Sequence, residues 1–298
     1  MTISTFENCE ICGARRWTEV YSGSVRAGSY GNSISSVIAQ CNKCSVLRLN
    51  EADCIQHSSY ESEEYRASLG ETHDENLYHS LHDWHIKYTL NLDEAIAFRN
   101  NVVVDVGCGA GSLLDHVSGL AQSAVGIEPN KELGSRLTVR GLTWFPSLGA
   151  AIHDLEDKVD LVICNQVIEH VENPLVFLKD IFRLLKKGGI LILSTPNLND
   201  ILSQVCPDAF PSFFYRTQHR WYFDAESLKK AAELAQFKDC RIKFVHRYGL
   251  SNALYWIKDN KPHGGDAYPG ITTEMDMNWK RMCERQGQSD CLYLIARK

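Results

Sequence analysis

The stretch Val102–Leu114, VVVDVGCGAGSLL, sets Gly107, Gly109 and Gly111 at alternate positions just after Asp105. Glycines there permit a positive φ and let a ligand approach the main chain with no Cβ in the way. Ser112, Leu113, Leu114 and Val117 begin a helical pattern, and the positive end of that helix would face the same ligand. A dinucleotide fingerprint starting at Gly107 would need its third glycine at position 112, which holds Ser112. Glu128, in GIEPN, stands 17 residues beyond Gly111. A carboxylate at the end of a second strand can accept both hydroxyls of a ribose. No second glycine turn is arranged for a pyrophosphate, so a nucleoside without phosphates is the better fit.

Two further groups could do chemistry. Cys9-x-x-Cys12 and Cys41-x-x-Cys44, with 28 residues between Cys12 and Cys41, can form two knuckles that supply a closed tetrahedral S₄ site, the preference of structural zinc. An iron site of the same geometry, or four unrelated buried thiols, are the alternatives. Cys54 and His57 lie nearby and could substitute, but the spacing favours the other four. Histidine is the first candidate for a base near neutral pH. His170 follows Glu169 in VIEHV, and His219 lies in QHRWYF.

The elements that must position these residues are legible from Val102 onward. Strands are expected at 102–106, 123–127, 142–145, 159–164 and 190–195, from short apolar, β-branched runs. A helix at 174–187 has Asn173 as cap, Pro174 in its first turn and Gly188 at its end. Lys186 and Lys187 would sit at its negative end. Alternation of this kind implies a parallel sheet with helices on both faces. A helix at 225–236 and a strand at 240–248 follow, and CLYLIARK closes the chain as a strand. Two long aromatic inserts, 197–223 and 249–289, read as irregular lids over a substrate, because long loops in a compact domain are usually functional. Before the sheet, Leu77, Leu81, Trp84, His85, Tyr88, Leu92 and Ile96 have helical spacing. Residues 51–75 carry eight acidic residues against one arginine, the mark of an exposed connector.

The 298 residues are 44% hydrophobic and 23% charged, with net charge −6, and no apolar run approaches the ~20 residues of a membrane helix. The start of the sequence lacks a basic region followed by an apolar one, so a cytoplasmic setting is expected, with the 11 cysteines reduced.

DVGCGAGSLL, GIEPN, DLVICNQVIEHVENP and LKKGGILILSTPN, in that order, resemble the class I S-adenosylmethionine-dependent methyltransferases over roughly residues 76–248. The resemblance implies an α/β, doubly wound, Rossmann-like sheet of seven strands with the last antiparallel. Carried over, the cofactor's methionine part lies against Asp105, Gly107, Gly109 and Gly111, and Cys108 and Pro129 count among the cofactor-binding residues. Glu128 meets the ribose, Ser147 and Leu148 border the adenine, and Asn165 and Gln166 flank the cofactor on the substrate side. Asp105 could also simply brace the turn, and Cys108 and Cys164 read as small packing residues rather than nucleophiles.

CEIC…CNKC followed by SSYESEEYRASLG is similar to the N-terminal domain of bacterial sugar methyltransferases, including the nucleotide-sugar C-methyltransferases. That implies a small zinc-ribbon-like domain at 1–57, a helical connector at 58–100 and the methyltransferase domain at 101–298. The C-methyltransferases carry a further large C-terminal domain for which 298 residues leave no space. A small sugar-like acceptor with O- ahead of N- or C-methylation is therefore the expectation. His170, Glu169 and His219 are the candidate catalytic residues, although a Glu-His pair at this place also occurs in relatives where the histidine is not the base. Tyr215, Arg216, Arg220, Tyr222, Tyr248, Asn252, Trp256 and His263 could line the acceptor site. Tyr78 or His85 could touch the cofactor's amino-acid end, and His79 and His82 read as surface or packing residues. An RNA methyltransferase is the alternative. Five Lys/Arg against three Asp/Glu in residues 1–50, beside the acidic connector, argue against a nucleic-acid partner. A binding module without turnover is a third reading. The oligomeric state is not read from the sequence.

Overall fold

The computed structural model describes residues 6–28, 31–62, 83–92 and 98–298. Leu77, Tyr78, His79, Leu81, His82 and Ile96 lie outside the described residues, as does the side chain of His57.

The N-terminal lobe is an antiparallel sheet of β1 (Trp17–Arg26), β2 (Ser33–Cys41) and β3 (Leu47–Leu49). α1 (Trp84–Leu90) then buries Ile86 against Val103, Leu113 and Ile192 of the main domain. The main domain begins with β4 (Val102–Val106), α2 (Ser112–Val117), β5 (Ser123–Ile127), α3 (Lys131–Val139), β6 (Thr143–Phe145) and α4 (Leu148–Leu155). It continues through β7 (Val159–Asn165), α5 (Pro174–Leu184), β8 (Leu185–Pro196), α6 (Leu202–Val205), α7 (Phe210–Phe214) and β9 (Trp221–Tyr222). α8 (Ala225–Leu234), β10 (Lys238–Val245), α9 (Leu250–Asp259), α10 (Thr273–Arg285) and β11 (Cys291–Arg297) complete it.

The seven-stranded sheet has the order β10-β11-β8-β7-β4-β5-β6. β4, β5, β6, β7 and β8 run parallel, and β11 is antiparallel to both neighbours. Val103, Val104, Leu161, Val162, Ile163, Leu191 and Ile192 are buried, as strands covered on both faces by helices require. The chain steps outward from β4 to β5 and β6, then returns to β7 on its other side. That reversal opens a crevice at the carboxyl ends of β4 and β7.

Two expectations are corrected. The helix at 174–187 starts as expected, with Asn173 Oδ1 accepting from Val176 N at 3.0 Å and Pro174 in the first turn. It ends at Leu184, because buried Leu185 pairs with Val159 and opens β8. Lys186, Lys187 and Gly188 therefore belong to an irregular start of that strand, where the register jumps from Leu185 opposite Val159 to Ile190 opposite Leu161. The insert at 249–289 is not irregular: α9 and α10 bury Ala253, Trp256 and Cys283 against Ile201, Leu202 and Phe210 of the first insert. β9, from the insert at 197–223, adds to β3 with Leu47 opposite Tyr222 and Arg48 opposite Trp221.

That addition fastens the lobe to the main domain. Phe6, Ile11, Trp17 and Val46 share one buried cluster with Phe177, Leu178 and Trp221. Glu51 accepts from Arg48 Nη2 at 2.6 Å and, through both oxygens, from Arg220 Nε at 3.1 Å and Nη2 at 2.8 Å. Burial pushes the Glu51 carboxyl up, but the two guanidinium groups outweigh it and hold the group below its ordinary value.

Candidate active site

The glycine turn follows β4. Gly107, Gly109 and Gly111 have φ of 74°, 54° and 85°, a region that L side chains rarely adopt. A Cβ on Gly107 would lie 2.4 Å from Val167 Cγ2, and one on Gly111 2.5 Å from Leu137 Cδ2. These two positions are thus closed to side chains twice over. Gly107 N donates to Ile127 O at 2.7 Å, which locks the turn onto β5.

Glu128, at the end of β5, completes the cradle. Its Oε2 accepts from Gly109 N at 2.9 Å and its Oε1 from Asn130 N at 3.0 Å. A carboxylate at this place, buried beside the bare turn, can accept from the hydroxyls of a ribose. Burial, with the Glu128 charge beside it, raises the Asp105 carboxyl to about 7. Bare main chain beneath and a paired carboxylate opposite fit an adenosyl group carrying a cationic sulfonium.

A cavity of about 650 Å³ extends from this cradle, within the usual size of small-molecule sites. Asp105, Gly107, Cys108, Gly109, Glu128, Pro129, Asn165, Gln166, Glu169, His170 and His219 all line it. Gly111, Ser147 and Leu148 are not on this wall. Gly111 precedes α2, while exposed Ser147 caps α4 by accepting from Ala150 N at 3.2 Å. Cys108 also packs with Leu114 and Leu137, as its small size suggested. Asn165 Oδ1 accepts from Ser194 Oγ at 2.9 Å, and Gln166 Nε2 donates to the same hydroxyl at 3.3 Å.

At the far end three titratable side chains converge, with ligand-capable atoms all within 4.8 Å of one another: Glu169, His170 and His219. His170 Nδ1 donates to Gln218 O at 2.8 Å, and Tyr60 Oη donates to the same carbonyl at 3.0 Å. Spending the Nδ1 proton on a carbonyl leaves the lone pair on Nε2. Burial lowers the imidazole to about 4; the carbonyl bond opposes that and Arg216 adds to it. The His219 ring stands edge-on to His170, centroids 4.8 Å apart. Burial first, then the charges of Arg216, His170 and Arg26, hold it well below its ordinary value. Both imidazoles are therefore neutral. Glu169 is 1% exposed. Its Oε2 accepts from Thr195 Oγ1 at 3.0 Å, and its Oε1 stands 3.9 Å from His170 Nε2. Burial raises this carboxyl to about 7.

Of the other sequence candidates, His85, Arg216, Tyr248, Asn252 and Trp256 reach the cavity. Arg220 is drawn away by Glu51, while Tyr215 and Tyr222 pack in a cluster with Val25, Leu47 and Leu49. His263 instead lies between Asp259 and Asp266, 3.0 Å and 3.6 Å away. Sequence reasoning missed Tyr60, Arg26, Gln218 and Arg247. The last has its Nε on Asp290 Oδ2 and its guanidinium 3.9 Å from the Trp84 ring centroid. Only Tyr60 had a signal, as an aromatic residue inside the otherwise acidic connector.

The four-cysteine cluster stands apart from this cavity. Cys9 and Cys44 Sγ are 3.6 Å apart, and Cys12 and Cys41 Sγ 3.5 Å. A tetrahedron with Zn–S bonds of ~2.3 Å has an edge of about 3.8 Å, close to these two separations, and all four sulfurs lie within 4.8 Å of one another. Cys54 is buried elsewhere, its thiol directed to Asn50 O.

Comparison with known proteins agrees with this architecture. A family model described as a methyltransferase domain matches residues 77–241, more than half of the chain. The mitochondrial ubiquinone biosynthesis O-methyltransferase of Rattus norvegicus is 24% identical over 234 residues, 74% of this chain and 68% of that protein. The ubiquinone biosynthesis O-methyltransferase of Pseudomonas fluorescens is 27% identical over 136 residues, 42% of this chain; the chain spans 57% of that relative's length. A solved S-adenosylmethionine-dependent methyltransferase from Archaeoglobus fulgidus aligns with a TM-score of 0.51 at 16% identity, covering 76% of this chain and all of that one. The chain belongs to the class I S-adenosylmethionine-dependent methyltransferases.

Proposed function

We propose that this enzyme methylates a hydroxyl of a small polar acceptor: a sugar, a nucleotide-linked sugar or a glycan precursor. One observation carries the reading. A single cavity joins the Asp105–Glu128 cradle to the Glu169, His170 and His219 cluster. Asp105, Gly107, Cys108, Gly109, Glu128, Pro129, Asn165 and Gln166 would hold S-adenosylmethionine, which supplies an electrophilic methyl group. The acceptor would lie beyond it, against Tyr248, Asn252 and Trp256. Aromatic faces and an amide suit a polyhydroxylated ring. The O-methyltransferase names of the relatives support oxygen as the accepting atom.

Much of such catalysis is alignment of the reacting atoms. A hydroxyl must also lose its proton, and the neutral His170 Nε2 is poised to take it while Gln218 O and Tyr60 fix the ring. Cys9, Cys12, Cys41 and Cys44 would hold a structural zinc ion that shapes the lobe.

The test is purified protein with isotope-labelled methyl donor and a panel of sugars and sugar nucleotides, read by mass spectrometry. A gain of one methyl on an oxygen is expected. Donor binding with no product from any sugar, but product from another hydroxyl compound, would replace the acceptor class. Absence of donor binding would overturn the whole reading.

A further inference from the structure

Arg247 lines the cavity, and no step of the proposed reaction uses it. It stands just beyond β10, and Asp290 stands just before β11, where Val245 pairs with Cys291. Asp290 Oδ1 accepts from Arg247 N at 2.8 Å, and Asp290 Oδ2 accepts from Arg247 Nε. One carboxylate therefore fixes both the main chain and the side chain of this residue. The guanidinium carbon lies 3.9 Å from the Trp84 ring centroid and 5.0 Å from that of Tyr248. An arginine held by Nε and set against aromatic rings has given up most of its freedom and is preorganised for a ligand. Its two Nη groups make no hydrogen bond to a described residue, so they are what it has left to offer.

Asp200 stands on the wall of the same cavity and is 4% exposed. Asn197 N donates to Asp290 O at 3.0 Å, which ties the start of the first insert to the Arg247 pair. Asp200 Oδ1 accepts from Leu202 N at 2.9 Å. Burial first, then the Asp290 charge, raises the Asp200 carboxyl to about 8, with Leu202 N and Arg247 opposing. At neutral pH it is largely protonated and can donate through its O–H.

We propose that Arg247 and Asp200 form a recognition site for an oxyanion group on the acceptor, a carboxylate or a phosphate, so that the enzyme selects an acidic sugar over a neutral one. The planar fork of an arginine matches two oxygens of either group. A neutral sugar would close the cavity over the Nη groups without answering them, which is how a polar site rejects an analogue that lacks the partner. The stretch that carries Arg247 also carries Tyr248, Asn252 and Trp256. The inference rests on reading those residues as the acceptor side of the cavity. The rival ligand is the donor's own carboxylate, because Trp84 belongs to α1, which packs with Val103 and Leu113 beside the cradle.

The experiment uses the full chain saturated with S-adenosylhomocysteine. Glucuronate, glucose 1-phosphate and glucose are titrated in separately, and binding is followed by saturation-transfer NMR on the sugar. At least one acidic probe is expected to bind saturably and at least ~10-fold tighter than glucose; which of the two does so identifies the oxyanion as carboxylate or phosphate. Arg247→Met should weaken that binding by roughly 10–100-fold and leave S-adenosylhomocysteine affinity unchanged. Arg247→Lys keeps the charge without the fork and should recover only part of the loss. It also carries the test if circular dichroism shows that Arg247→Met does not fold. Asp200→Ala should weaken the acidic probe, and Asp200→Asn, which keeps a donor, should do so less. No saturable binding of either acid, equal binding of glucose, or acid binding unchanged in the Arg247 variants overturns the proposal. Weaker S-adenosylhomocysteine binding in a folded Arg247 variant does so too, by giving the fork to the donor. Failure of the unmutated protein to bind S-adenosylhomocysteine would instead defeat the methyltransferase reading of the cavity.

Discussion

Glu128 Oε2 accepts a 2.9 Å hydrogen bond from Gly109 N. The carboxylate at the end of β5 and the bare turn after β4 therefore form one unit. A group that shapes the cradle as well as binding in it should be sensitive to replacement. Glu128→Ala is expected to weaken S-adenosylhomocysteine binding by roughly 10–100-fold, the equivalent of losing charge-assisted hydrogen bonds of ~1.5–3 kcal/mol. Calorimetry beside circular dichroism checks it. Unchanged affinity in a folded variant would separate Glu128 from the ligand.

Gly107 combines φ of 74° with a Cβ position 2.4 Å from Val167 Cγ2. Gly107→Ala should cost about 1–3 kcal/mol in urea unfolding. Adding Val167→Ala removes the clash but not the backbone strain, so the double variant should recover only part of the loss beyond what Val167→Ala costs alone. Complete recovery would mean that the left-handed backbone costs nothing.

Asp105 contributes to the pH dependence of the ligand-free protein, together with Glu169 and Asp200, whose carboxyls burial raises to about 7 and about 8. The folded value of Asp105, about 7, lies above the unfolded value, since burial and Glu128 both raise it. Between those two values the folded protein holds a proton that the unfolded chain has released, so stability falls as pH rises through that window. Thermal unfolding from about pH 5 to pH 8 should show this decline, and Asp105→Asn should make it shallower by the share of one group, leaving the part due to Glu169 and Asp200. An identical slope in the variant would remove Asp105 as a cause.

His170→Ala should lower the rate of methyl transfer by roughly 10²–10⁴-fold and leave donor affinity intact, because the cradle residues sit at the other end of the cavity. Equal losses in both would assign His170 to donor binding. The measurement is kcat beside a direct binding constant.

The zinc proposal predicts one ion per chain by elemental analysis, lost in Cys41→Ser. The Sγ atoms of Cys12 and Cys41 lie 3.5 Å apart, and Trp17 and Trp221 are buried at the junction of lobe and main domain. Zinc removal should therefore shift tryptophan fluorescence while S-adenosylhomocysteine still binds, since Asp105 lies on β4 and Glu128 just after β5 rather than in the lobe. Simultaneous loss of both would make the lobe part of the cofactor site.

Local rules were enough to read the cradle from the chain. A β-branched run, alternating glycines and a carboxylate at the end of the next strand are short-range features, so β4, its turn and Glu128 stand where expected. The same holds for the paired CxxC knuckles and for the Asn173–Pro174 start of α5. What lay beyond reading depended on contacts between distant segments. Helical spacing alone could not show that Leu185 would pair with Val159 and cut α5 short. Nor could it show that β9 would join β3 and place His219, Arg220 and Trp221 between lobe and sheet. Tyr60 meets His170 across 110 residues and Arg220 meets Glu51 across 169. Pairing over such separations is chosen by burial and hydrogen-bond satisfaction in the assembled fold. Residue types fixed the chemistry available to this protein, and packing chose which of those residues share a cavity.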